Sequence, residues 1–312
     1  MAKHKRKNNF GFILIIILLI SSIGVMTFFI FSNKKSLENE QKLNKKLINK
    51  LNIKTNDYNE IINSNNELNK KIDELNNTVH KTEVTKQEVF KLASELEQKI
   101  LSGQTTYKIA YLTFDDGPYY LTDKYLEVLR NYNVKATFFT IGSGKSKCYD
   151  NPNASCMETY KKIVDDGHTI ANHTYSHGIF YGLYSSTNSF MTQVKKQEEL
   201  IKEHTGVTTN IVRFPGGSST AGRLKSSIIQ ELRNNGYGWV DWSAQDGDGG
   251  DLKSTTQAWN YFVNSINQDI EVVLFHDYNN ITLSILPQAI EYLQNNNYIL
   301  LPLFYESVTI NK

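Results

Sequence analysis

KIAYLTFDDGP, Lys108–Pro118, decides how the rest of the chain is read. An apolar, strand-like run, Lys108–Phe114, stops at two adjacent carboxylates, Asp115 and Asp116, and then at a Gly-Pro turn. Working outward, similar runs recur at Lys135–Ile141, His168–Thr174, Asn210–Phe214, Tyr237–Trp242, Glu271–His276 and Tyr298–Phe304. Amphipathic helical patterns lie between them, at Leu121–Asn133, Met157–Gly167, Phe190–Gly206, Ser226–Gly236, Thr256–Ile266 and Ile285–Asn297. Several end in Gly or Asn, as helix C-caps often do. Strand–helix alternation implies parallel pairing. Seven such strands in about 200 residues predict an α/β fold, a distorted or incomplete (β/α) barrel rather than an open sheet.

The chain before this region differs in kind. The uncharged run Phe10–Phe31 follows Lys3, Lys5, Arg6 and Lys7. As a helix it reaches about 30 Å, the thickness of a bilayer core. It is too long for a typical signal-peptide apolar region, and no small-x-small cleavage site follows. The expectation is a basic cytoplasmic tail over 1–9, a single-pass anchor over 10–31 and the remainder outside the cell membrane. Ser36–Leu101 contains no Gly or Pro. A heptad register with a at Leu51, Tyr58, Asn65, Ile72, Val79, Lys86, Ala93 and Ile100 finds mostly apolar a and d positions. That pattern predicts a helical, coiled-coil-like stalk over 32–104 and a possible homodimer through it. A solvated single helix or a disordered spacer is the bland alternative. The globular domain is expected over 105–312.

Composition excludes several classes. Among 312 residues, 34 Lys and Arg face 32 Asp and Glu, a net charge of +2. No basic excess marks a nucleic-acid binder. Two cysteines cannot frame a disulfide mini-domain. Cys148 and Cys156 share the loop after the second strand and form either one disulfide closing a small loop or two free thiols. With 40% hydrophobic and 21% charged residues, the chain is not disordered throughout.

In β/α barrels the site is assembled at strand C-termini. Here those ends carry Asp115–Asp116, then His173 and His177, then Arg213 with Pro215–Gly217, then Asp246 and Asp248, then His276–Asp277. Successive strand side chains point to opposite faces, so Asp115 and Asp116 cannot do the same job. One can bind a metal while the other faces substrate; the alternative is a turn with a capping carboxylate. His173 and His177, four apart, suit a metal pair but are weak evidence alone.

Taken in order, TFDDGP, HTYSH, RFPGG, the Trp242–Asp248 segment and LFH resemble the five motifs of the polysaccharide deacetylase family, also called the NodB-homology domain or carbohydrate esterase family 4. The resemblance covers about Lys108 to Phe304. The layout is also similar to membrane-anchored peptidoglycan N-acetylglucosamine deacetylases. The resemblance implies that Asp116, His173 and His177 hold a divalent metal, most often zinc, with cobalt or another ion as alternatives. It implies Asp115 as general base, His276 as general acid, Arg213 orienting Asp115, and Asp248 supporting His276, with Asp246 as the rival partner. It gives the Gly216 N–H an oxyanion role alongside the metal. Two positions depart from the family. Gly216 stands where many members have Tyr, and Gly249 where many have Trp. Both put substrate preference in doubt more than catalysis. The implied activity is removal of N-acetyl groups from an extracellular amino-sugar polymer, most often peptidoglycan. The alternatives are poly-N-acetylglucosamine, chitin fragments or acetylated xylan, or a non-catalytic glycan-binding or scaffold protein.

Overall fold

The computed structural model describes residues 82–142 and 156–312. The expected anchor, the stalk up to residue 81 and Cys148 lie outside them. Among the described residues no helix is long and apolar enough to cross a membrane. The chain falls into two units, Met1–Ala93 and Ser94–Lys312. Helix α1 (Thr82–Leu101) ends inside the second unit. There Glu97 is fully buried and accepts hydrogen bonds from Tyr111 Oη (2.6 Å), Ser307 Oγ (2.5 Å) and the Val308 N–H (3.1 Å).

The second unit is a parallel sheet wrapped by helices. Its strands are β1 (Lys108–Asp115), β2 (Thr137–Thr140), β3 (Thr169–Asn172), β4 (Ile211–Val212), β5 (Gly238–Trp239), β6 (Ala244–Gln245), β7 (Ile270–His276) and β8 (Tyr298–Leu301). Helices α2 (Thr122–Asn131), α3 (Cys156–Asp165), α4 (Thr187–Thr205), α5 (Lys225–Asn234), α6 (Thr255–Ser265) and α7 (Asn280–Asn295) lie between them. The main path runs β5-β4-β3-β2-β1-β7-β6, every pairing parallel. Strand β8 lies off this path. It pairs with Lys108–Tyr111 of β1, while β2 pairs with Thr113–Asp115. Because β7 follows β1 along its whole length, β8 and β2 share the opposite flank, and β8 wedges in beneath β2.

The expected barrel of seven parallel strands is therefore present, with two differences in its parts. Tyr298–Phe304 is the wedge rather than a stave, and β6 had no counterpart in the sequence reading. The expected fifth strand, Tyr237–Trp242, is the start of a longer device. Val240 N–H still bonds to Val212 O of β4 (3.1 Å), whereas Ser243 N–H bonds to Val272 O of β7 (2.9 Å). The segment between β5 and β6 thus passes from one edge of the sheet to the other, changing partner at Asp241–Trp242.

Alternation along the strands sets what faces where. Ala110, Leu112 and Phe114 of β1, Phe138 of β2, and Val273 and Phe275 of β7 join the apolar layer beneath the helices. Val212 and Phe214 join a second apolar cluster with Phe190, Ile228 and Leu232. The residues of opposite parity, Asp115, Phe139, His173, Arg213 and His276, face the barrel interior. Register aligns them, since Asp115 pairs with both Phe139 and His276 across β1's two neighbours. Five chain-distant side chains therefore meet in one layer at the strand C-termini.

Candidate active site

The layer is organised around Arg213, which is fully buried. Its Nη1 donates to Asp115 Oδ1 (2.8 Å) and Thr113 Oγ1 (2.7 Å). Nε and Nη2 donate to the carbonyls of Val240 and Asp241, both at 3.2 Å, on the segment that closes the barrel. The guanidinium lies 4.1 Å over the Phe139 ring. A planar fork of donors suits this task in a way a lysine ammonium does not. Burial pushes the Asp115 carboxyl above the usual range, and the Arg213 charge beside it limits the rise.

The other oxygen of Asp115, Oδ2, turns toward His173 Nε2 at 3.6 Å. Next to it Asp116 leaves the strand in a left-handed conformation, φ 71°. Thr174 and His177 are left-handed too, at φ 64° and 48°. Each such residue costs about 1–3 kcal/mol, and clusters of them mark sites where side-chain aim matters more than backbone ease. The aim here is convergent. Asp116 Oδ1 is buried without a hydrogen-bond partner, 3.6 Å from His173 Nε2 and 3.4 Å from His177 Nε2. His173 Nδ1 lies 2.9 Å from the Arg213 carbonyl, which can only accept, so Nδ1 carries the hydrogen and Nε2 presents its lone pair. Burial, then the neighbouring His177, holds the His173 imidazole down to about 3, so it is neutral at working pH.

One oxygen and two ring nitrogens thus come within 4.8 Å of one another. Without a cation, that is an unsatisfied buried acceptor cluster. With one, it is a three-ligand site with an open side and an imidazole fixed through its far nitrogen. The residues fit a divalent metal.

On the opposite flank His276 Nδ1 is 2.6 Å from Asp248 Oδ1, and its own N–H donates to Asp248 Oδ2 (2.7 Å). Burial alone would lower the imidazole's affinity for a proton, but the Asp248 carboxylate outweighs it and pushes His276 up to about 10. Asp248, not Asp246, is the partner of His276. Asp246 faces away, with Oδ2 accepting from Thr282 Oγ1 (2.7 Å) and Oδ1 from the Asp248 N–H (3.1 Å). Burial and the Asp248 charge raise its carboxyl, so it favours the protonated form. Thr282 also lies 2.9 Å from Asp248 Oδ2 and braces the acid's partner from behind.

Gly216 is exposed, with φ 72°. A Cβ there would sit 3.0 Å from Thr220 Oγ1 and 3.2 Å from Ile179 Cδ1, and the left-handed backbone strains any residue but Gly, so this loop disfavours the Tyr that the resembled motif carries. Asp241 ties the same loop down by accepting from the Ser218 N–H (2.9 Å) and Oγ (2.5 Å). At Gly249 a Cβ would lie 3.2 Å from His276 Cε1, so its absence leaves that flank of the imidazole open. Asp115, Asp116, His173, His177 and Arg213 are therefore joined by direct contacts, with Asp248-held His276 beside Asp115 in the register. Asp241 and Thr282 add support that no motif announced.

The two flanks give a pH expectation. A proton donor must stay protonated, so activity falls as pH rises through the His276 pKa. Asp248→Asn removes the charge that raises it, and the alkaline limb of kcat/KM should move down toward an ordinary imidazole value, about 6.5. A pH–rate profile measures this; an alkaline limb left in place would show that Asp248 does not set the acid.

A carboxylate held by an arginine, an imidazole paired to a carboxylate and a three-ligand cation cluster are groups that metal-assisted hydrolysis can use. A family model for polysaccharide deacetylase matches residues 102–239. The chain is 28% identical over 208 residues to the putative polysaccharide deacetylase YheN of Bacillus subtilis, covering 61% of this chain and 65% of that protein. It is 28% identical over 230 residues to a peptidoglycan-N-acetylglucosamine deacetylase of Bacillus cereus, covering 69% of this chain and 79% of that protein. Among solved structures, the catalytic domain of peptidoglycan N-acetylglucosamine deacetylase from Eubacterium rectale superposes with a TM-score of 0.59 at 30% identity, covering 66% of this chain and 93% of that one. The chain belongs to the polysaccharide deacetylase family.

Proposed function

We propose that the protein removes acetyl groups from N-acetylglucosamine residues of a cell-surface glycan, with peptidoglycan as the substrate. The observation that carries the reading is the grouping of Arg213-held Asp115, the Asp116, His173 and His177 cluster, and Asp248-held His276, which sits beside Asp115 in the strand register. Zinc is the ion the donor set favours; held by Asp116, His173 and His177 it would lower the pKa of a coordinated water and polarise the acetyl carbonyl. Asp115 takes the proton from the attacking water at Oδ2, the oxygen that Arg213 leaves free. Arg213 keeps that carboxylate ionised and fixed. His276 gives its proton to the departing amine nitrogen, so the amide C–N bond breaks to a free amine. The Gly216 N–H makes no hydrogen bond to a described residue and is available to the developing oxyanion. Acetate and a glucosamine unit leave, the Asp115 proton goes to solvent, and His276 takes a proton back from solvent to reset the site.

The choice of polymer is supported by the named peptidoglycan deacetylases among its relatives and by the expected anchor and stalk, which would hold the domain within reach of wall glycan. Acetate release from purified wall glycan, compared with soluble chitin oligomers and acetylated xylan, tests it. Faster release from wall glycan is expected, abolished by a chelator and restored by zinc or cobalt. No release from any N-acetylglucosamine polymer overturns the reading. We further propose the single-pass topology with the domain outside. Protease added to intact protoplasts should shave the domain off, and full protection would refute it.

A further inference from the structure

We propose that Tyr120, Tyr119 and Tyr278 form an aromatic ledge that seats the glycan's sugar rings beside the reacting unit, with Tyr278 as the inner wall against His276. The proposal rests on the deacetylase reading above and names a substrate subsite for it.

The four rings form an unbroken row. Tyr120 and Tyr119 have ring centroids 4.4 Å apart, Tyr119 and Tyr278 5.7 Å, and Tyr278 and His276 5.1 Å. The row runs from solvent to the proton donor. Tyr120 is 49% exposed, Tyr119 and Tyr278 are half-buried, and His276 is buried. Contiguous exposed aromatic patches mark ligand surfaces, and a row that ends on the His276 imidazole points to substrate. A pyranose offers an apolar C–H face and a rim of hydroxyls, which matches rings that are apolar in body and polar at one edge.

The ledge is held from below. The Tyr119 N–H donates to Thr122 Oγ1 (2.7 Å), and that hydroxyl donates to Asp277 Oδ2 (2.5 Å). Asp277 is fully buried, and a Cβ on Gly117 would fall 2.2 Å from its Oδ2, so the turn after Asp116 packs directly on this carboxylate. The turn that aims Asp116 is therefore the same turn that sets the ledge.

Tyr278 follows His276 by two residues, and its ring lies 5.1 Å from that imidazole. Burial, with the nearby charges of Asp116, Asp248 and Asp115, pushes its phenol well up. It makes no hydrogen bond to a described residue and is open to a sugar hydroxyl. With Gly249 leaving the other flank of His276 bare, Tyr278 is the ring beside the imidazole that can act as a wall.

The test uses the full chain and N-acetylglucosamine oligomers of increasing length, free of peptide. Ring contacts of this kind are worth about 0.5–1.5 kcal/mol, so Tyr120→Ala should raise KM about 2- to 10-fold on long oligomers and progressively less on short ones. Tyr278→Ala should raise KM at every length, and Tyr278→Phe, which keeps the ring, should restore most of the binding. Saturation-transfer NMR with the same oligomers under chelator, where no turnover occurs, should show transfer to the sugar C–H protons that falls in Tyr120→Ala. Unchanged KM in both alanine variants, a loss confined to kcat, or an effect seen only on peptide-bearing wall glycan would overturn the ledge. Oligomer binding by NMR, with the metal-loaded protein releasing no acetate from these oligomers or from wall glycan, would instead leave the ledge standing and overturn the deacetylase reading.

Discussion

Replacing Asp115 by Asn should cut turnover by about 10²–10⁴-fold, the usual worth of a positioned general base. The substitution keeps the Oδ1 acceptor that Arg213 Nη1 reaches at 2.8 Å, so the side chain stays in place. It replaces the Oδ2 lone pairs facing His173 Nε2 at 3.6 Å by an amide that cannot take a proton. The fall should lie in kcat more than in KM, because the lost interaction belongs to proton transfer and not to holding sugar. Steady-state kinetics on a soluble oligomer check it. A variant that keeps near-normal kcat would mean that some other group takes the proton.

Arg213→Met should be the most damaging single change to the folded state, at about 3–5 kcal/mol, because it strands a buried carboxylate. The guanidinium also donates to the carbonyls of Val240 and Asp241. Its loss therefore loosens the segment that joins the two edges of the sheet. Thermal melting measures the first effect. A pH–rate profile measures the second. The base works ionised, so activity falls as pH drops through the Asp115 pKa. That pKa is already raised by burial and restrained by Arg213. Without the cation it climbs further, and the acid limb should move to higher pH. Arg213→Lys keeps a charge but not the fork of donors, so it should recover part of the acid limb and little of the melting temperature. An acid limb that stays put in Arg213→Met would show that Arg213 does not hold Asp115 ionised.

How far the site was legible before any coordinates depended on periodicity. Strand alternation fixes the parity of Asp115, His173, Arg213 and His276, and the observed interior layer obeys it. The adjacency of Asp115 and Asp116 separated their tasks for the same reason. Where periodicity is short or absent, reading failed. Strand β6 is two residues long and carries no pattern of its own, so the partner switch at Asp241–Trp242 was invisible. Tyr298–Phe304 reads as a strand like any other, and only the register with β1 shows it to be a wedge. Asp246 and Asp248 are two apart and share parity, so spacing could not choose between them. The choice is seen in the His276 N–H and Nδ1, which both meet Asp248, while Thr282, near the start of α7 and beyond the reach of the helical pattern, braces both carboxylates. That helix begins at Asn280 because Asn279 caps it, its side chain accepting from the Ile281 N–H at 2.9 Å. A capping Asn in that place was the signal available for finding it.

The central claim is that Asp116, with His173 and His177, holds the metal while Asp115 handles the proton. Calorimetric titration of zinc into the chelator-treated full chain and its Asp115→Asn and Asp116→Asn variants tests it without any turnover. One site is expected in the unaltered protein. Asp115→Asn should retain it at similar affinity, whereas Asp116→Asn, deprived of its anionic ligand, should bind markedly more weakly. Retained zinc in Asp116→Asn with loss in Asp115→Asn would reverse the two carboxylates and contradict the account at its central step.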